Sequence, residues 1–135
     1  MTGPVPYLFF SAAAREALTF YRDVFGGDVA LHTYADLGRA DGPQEAIGHG
    51  ELTGAVSLFG ADVAADESAP SGGGIVLALL GTADPDTMSE WFRRLSAGAT
   101  ITDPLQERPW GDVVGRLTDR YGVPWLIGFA PGTAS

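Results

Sequence analysis

The chain has 135 residues, 45% of them apolar, and a formal net charge of −9 from 17 acidic against 8 basic side chains. That size and composition point to one globular domain with room for a real core, and the charge disfavours nucleic acid and membrane surfaces as partners. The absence of cysteine excludes disulfides, thiolate metal sites and cysteine nucleophiles.

Residues 5–10 (VPYLFF) predict a short apolar strand, preceded by no basic region and interrupted by proline, so a signal peptide is not expected. No window reaches the ~18 uninterrupted apolar residues of a membrane span, and a soluble cytoplasmic protein is the expectation. Ser11 is expected to cap a helix whose apolar stripe is Ala17, Leu18, Tyr21, Val24 and Phe25, and Gly26-Gly27 stops it. Residues 28–37 read as a strand. Residues 45–52 and 55–63 read as two more, joined at Thr53-Gly54.

Residues 64–74 (AADESAPSGGG) have linker composition. The pattern then restarts with a strand at 74–80 and a helix capped by Asp84 with Pro85 in its first turn. Met88, Trp91, Phe92 and Leu95 form its apolar stripe and Gly98 ends it. Three further strands are expected from ATITDPL, GDVVGRLT and VPWLIGF.

Each half therefore reads strand–helix–strand–strand–strand. The halves also match at an offset of 71: Gly3 falls on Gly74, Leu8 on Leu79, Ala17 on Met88, Tyr21 on Phe92, Val24 on Leu95 and Gly27 on Gly98. An internal duplication follows, with module one at about 1–63, a linker at about 64–73 and module two at about 74–130.

Three stretches, PYLFFSAAAREALTFYRDVFGGDV, HGELTGAVSLFGAD and PLQERPWGDVVGRLTDRYGVPWLIGF, give the chain a resemblance to the vicinal-oxygen-chelate superfamily. That superfamily holds glyoxalases, extradiol dioxygenases and bleomycin-resistance proteins, and the likeness is to its PhnB-like branch. The resemblance implies an α+β fold of tandem βαβββ modules, with curled mixed sheets around a cleft, and a homodimer. It also implies four strand positions from which catalytic members hold a divalent ion as a Lewis acid. Carried onto this chain, those positions are Pro6 (or Tyr7 one residue on), Ser57, Ile75 (or Gly74) and Leu126. None is a competent ligand for zinc, iron or manganese and Ser57 is a poor one, so no metal and no other cofactor is expected.

Trp125, Ile127 and Phe129 share one face of the last strand; Leu126, Gly128 and Ala130 share the other, expected to form an apolar pocket wall. His49 and Glu51 alternate on one strand and so point to one face. There they make an acid–base pair or two legs of an unusual metal site; the plain alternative is an edge histidine beside a solvated glutamate. His32 lies on a different strand and the sequence gives no reason to pair it with His49. Trp110, on a connecting loop, either stacks on a planar ligand or anchors the loop in the core. Arg116 either grips a ligand carboxylate or phosphonate or, as favoured, pairs with Asp119 or Asp112. Asp119 and Gly122 read as turn residues. GHGELTG and GGG are followed by strands, not helices, so neither reads as a phosphate loop.

Two functions remain. The first is metal-independent binding of a small apolar or aromatic molecule, in a pocket walled by Phe10, Ser57, Phe59, Trp110, Arg116 and Leu126, with His49 and Glu51 adding polarity. The second is a divergent lyase, isomerase or dioxygenase with His49 and Glu51 as catalytic residues.

Overall fold

A computed structural model describes residues 4–67 and 74–131. Residues 68–73 of the expected linker, and Gly3 in the internal match, lie outside the described residues. The chain divides into two compact units, Met1–Ser71 and Gly72–Ser135.

In the first unit the order is β1 (Tyr7–Phe10), α1 (Ala14–Phe25), β2 (Asp28–Thr33), β3 (Ile47–Thr53) and β4 (Leu58–Asp62). The sheet runs β1-β4-β3-β2, with β1 parallel to β4 and the other pairs antiparallel. Helix α1 buries Ala14, Ala17, Leu18, Tyr21, Val24 and Phe25, the expected stripe with Ala14 added. Its start differs from expectation. Ala13, not Ser11, is the N-cap residue, and no side chain next to it caps the helix. Instead Asp62, at the end of β4, accepts the N–H groups of Ala13 (2.9 Å) and Ala14 (2.8 Å) through Oδ1 and that of Ile47 (2.9 Å) through Oδ2. One buried carboxylate thus ties the orphan donors of a helix end to the start of β3.

The strand expected over 28–37 ends at Thr33. Thr33 and Asp36 exchange side-chain-to-backbone bonds of 2.9 and 3.0 Å, which turns the chain away from the ladder. At the α1–β2 connection Gly27 has φ +101°, and a Cβ there would sit 2.3 Å from the Thr53 carbonyl oxygen, so only glycine fits.

The second unit repeats the plan: β5 (Leu77–Leu80), α2 (Pro85–Leu95), β6 (Thr100–Glu107), β7 (Val113–Thr118) and β8 (Pro124–Phe129), in sheet order β5-β8-β7-β6. Strand β5 begins at Leu77, three residues later than the sequence pattern suggests. Asp84 caps α2 by accepting from Thr87 N (3.1 Å), Pro85 opens the helix, and Met88, Trp91, Phe92 and Leu95 are buried, as expected. Pro104 is tolerated because β6 is an edge strand with irregular register. Beyond β7, Asp119 accepts from Tyr121 N (2.8 Å), Val123 N (3.0 Å) and the indole N–H of Trp125 (2.9 Å), while Gly122 supplies φ +84°.

Register carries the duplication through both sheets. Tyr7 pairs with Phe59, and Ala78, 71 positions beyond Tyr7, pairs with Leu126. The match shortens after β2 because residues 34–46 separate β2 from β3, whereas only 108–112 separate β6 from β7.

Candidate functional site

In the first sheet, strand alternation sorts side chains onto two faces. Gly50 and Gly60 are partners on the helix side, where a Cβ on Gly50 would meet Leu18 at 2.5 Å; Leu8 pairs with Gly60 on that face. Tyr7, Phe9, Phe59, Ala61, His49 and Glu51 therefore stand on the opposite, open face. Tyr7 and Phe9 are 39% and 46% exposed there.

Three polar groups link up on this face. The Tyr7 hydroxyl is 2.9 Å from His49 Nδ1, and His49 Nε2 is 2.9 Å from Glu51 Oε2. An ionised carboxylate only accepts, so Nε2 carries the proton that Glu51 receives. In the neutral imidazole Nδ1 is then an acceptor, and the Tyr7 O–H donates to it. Rings enclose the chain: Tyr7–Phe9 centroids are 5.0 Å apart, Tyr7–His49 5.5 Å and His49–Phe59 5.7 Å. Burial raises the Tyr7 pKa above its ordinary value; Arg39 opposes that and Glu51 adds to it. The phenol is therefore neutral at physiological pH.

Beside this chain is an open pocket of about 360 Å³, lined by Tyr7, Phe9, Ala61, Val63, Arg39 and Glu67 among others. Its guanidinium is already engaged. Arg39 donates to both oxygens of Asp41 (3.0 and 2.7 Å) and lies 3.9 Å over the ring of Tyr34.

Of the residues expected to form a site, His49, Glu51 and Phe59 are together, with Tyr7 as the member that the binding-site expectation omitted. Phe10 is not among them: 5% exposed, it alternates with Phe9 and packs on the helix side, its ring near the Gly60 backbone. Ser57 lies just before β4. The repeat register places Phe59, not Ser57, as the counterpart of Leu126, and Ala78, not Ile75 or Gly74, as the counterpart of Tyr7. His32, left apart from His49 on sequence, is its direct partner across β2–β3, with rings 6.4 Å apart.

In the second unit, Leu126 and Arg116 are register partners on the face opposite buried Trp125 and Ile127. Arg116 forms no ion pair with Asp119 or Asp112 among the described residues; Asp119 is engaged by Trp125 and the turn backbone. Trp110 is 69% exposed at the β6–β7 connection, so it is not an anchor in the core.

The repeat-related positions carry a phenol and a phenyl ring in the first unit, at Tyr7 and Phe59, and a methyl and an isobutyl group in the second, at Ala78 and Leu126. Among the described residues no three His, Cys, Asp or Glu side chains group as an ion requires. His49 and Glu51 direct their facing atoms at each other. In neither unit do the repeat-related residues offer the imidazole or carboxylate donors of a divalent metal site.

A family profile described as the glyoxalase/bleomycin resistance protein/dioxygenase superfamily matches residues 5–127. Protein YjdN of Escherichia coli is 26% identical over 139 aligned positions, covering 90% of this chain and 91% of its own. The crystal structure of protein PA1353 from Pseudomonas aeruginosa superposes with a TM-score of 0.80 at 26% identity, over 96% of this chain and 98% of that one. A Bacillus cereus PhnB protein, described as a putative 3-demethylubiquinone-9 3-methyltransferase, shares the fold with a TM-score of 0.77 at 21% identity, over 96% and 100% of the two chains.

Proposed function

The chain belongs to the glyoxalase/bleomycin resistance protein/dioxygenase superfamily, and from that premise we propose that it binds a small apolar or aromatic molecule without a metal ion, on the open face of its first sheet. The observation that supports this most is the Tyr7–His49–Glu51 chain set among the rings of Phe9 and Phe59. Large apolar area with a few fixed polar groups is the usual chemistry of a small-molecule site. The aromatic faces supply area, and Tyr7 is oriented by a partner that is itself oriented.

The test is a thermal-shift screen of aromatic and amphipathic compounds on protein treated with a chelator. Hits that raise Tm equally with and without the chelator support the reading. A flat result across a broad library, or hits that need added metal, contradict it.

One observation favours a second reading. Phenol, imidazole and carboxylate in line are the parts of an acid–base catalyst, in which Tyr7 exchanges a proton with substrate and Glu51 steadies the imidazolium. This reading makes the protein a lyase or isomerase. His49→Ala should then abolish turnover of any substrate found, and full turnover in that variant would remove the reading.

A further inference from the structure

Resting on the binding reading above, we propose that the guest carries a protonated amine on an aromatic or apolar body, received by the Tyr7 oxygen, the Glu51 carboxylate and the surrounding rings.

Proton bookkeeping gives the first reason. With the His49 imidazole neutral, Tyr7 donates its only O–H to Nδ1 and its oxygen offers a guest nothing but lone pairs. Glu51 uses Oε2 on His49 and has Oε1 as a further acceptor. In the pocket, Glu67 accepts from Ala64 N through one oxygen, and its other oxygen is again an acceptor. The side chains that meet a guest here therefore call for donors.

The second reason is that the one guanidinium in the pocket lining is already paired. Arg39 lines the pocket, but its Nε and Nη2 both go to Asp41 and its plane lies on Tyr34. The chain has no lysine, and its net charge of −9 repels an anionic guest at long range.

The rings provide the third. Tyr7, Phe9 and Phe59 cluster with centroids 5.0 and 6.5 Å from Tyr7. Their negative π faces attract a cation, most strongly where water is partly excluded. A neutral alcohol satisfies one acceptor and gains nothing from the rings' charge; a carboxylate meets the like charge of Glu51.

Three probes with a phenyl body separate these cases: 2-phenylethylammonium, 2-phenylethanol and phenylacetate, titrated by ligand-observed NMR into the intact chain. The ammonium should bind about tenfold more tightly than the alcohol, with phenylacetate weakest. Glu51→Gln should erase most of that preference, and raised salt should shrink it. Tyr7→Phe, which keeps the ring but removes the acceptor, gives a second variant should Glu51→Gln disturb folding. Equal affinity for ammonium and alcohol overturns the inference and leaves the binding reading standing. A preference for phenylacetate, or no saturable binding of any probe, also overturns it; the library screen judges the binding reading separately.

Discussion

The Tyr7 hydroxyl lies 2.9 Å from His49 Nδ1 although 42 residues separate the two in sequence. Their strands are not neighbours. Strand β4 runs between β1 and β3, so the phenol reaches across β4 above Phe59 to the imidazole. That contact exists only while β1–β4 and β3–β4 hold their registers, since a one-residue slip turns Tyr7 to the helix side.

Tyr7→Phe is the mildest probe of this contact. Tyr7 is 39% exposed, so the variant should fold with stability within about 0.5 kcal/mol of the parent. Affinity for any hit from the screen should fall about fivefold to tenfold, by loss of one oriented hydroxyl. Isothermal titration of the two proteins measures it; unchanged affinity would take Tyr7 out of the site.

Asp62 should matter for stability. Its carboxylate is the acceptor for three backbone donors, at Ala13, Ala14 and Ile47. Asp62→Ala leaves all three without it and should cost about 2–4 kcal/mol. Asp62→Asn keeps one good acceptor and should cost less. Urea denaturation provides the comparison, and a loss under 1 kcal/mol in the alanine variant would contradict the assignment.

Asp119 and Trp125 form a comparable pair in the second unit, with the indole N–H 2.9 Å from Oδ2 and both residues buried. Asp119→Ala orphans a buried donor and should cost about 2–3 kcal/mol. In a double-mutant cycle with Trp125→Phe, the coupling energy should be about 1–2 kcal/mol, because the second change removes the orphan. Strictly additive effects would show that the bond contributes nothing.

On α2, Arg93 first and Arg94 second lower the Glu90 pKa to about 2 from its ordinary 4.5, with Arg94 Nε at 2.8 Å. A carboxylate held lower in the folded state adds stability above its unfolded pKa and loses it as pH falls through the folded value. The Glu90 side chain is 41% exposed and both arginines are on the surface, so the effect is small and screened by salt. The Tm difference between the parent and Glu90→Gln should be present at pH 6 and vanish as pH falls from 4.5 toward 2. A difference independent of pH would assign it to helix propensity.

The sequence shows most clearly those features whose cause is local. Asp84 and Pro85 open α2 through bonds three residues away, and the buried stripe of each helix follows from 3.6-residue spacing. The turn at Asp119–Gly122 is legible for the same reason. Features caused by distant chain are not. Ser11 looked like a cap because caps are usually adjacent, whereas the actual acceptor is Asp62, 48 residues beyond Ala14. His32 and His49 meet because of strand order, which one sequence does not show.

The candidate site was half legible by the same logic. The i, i+2 spacing of His49 and Glu51 puts them on one face. Tyr7 entered only as an alternative to Pro6, and Phe10 was expected in the pocket where Phe9 stands. Both differences are one-residue shifts on a four-residue strand that consists wholly of apolar and aromatic residues, so no polar alternation marks its open face.

Backbone-amide NMR of chelator-treated protein, titrated with the strongest hit from the screen, tests the central claim most directly. Metal-free binding on the open face of the first sheet predicts saturable shifts concentrated at Tyr7, Phe9, His49, Glu51 and Phe59, unchanged by added zinc. Shifts confined to the second unit, or shifts that develop only when a divalent ion is restored, would contradict it.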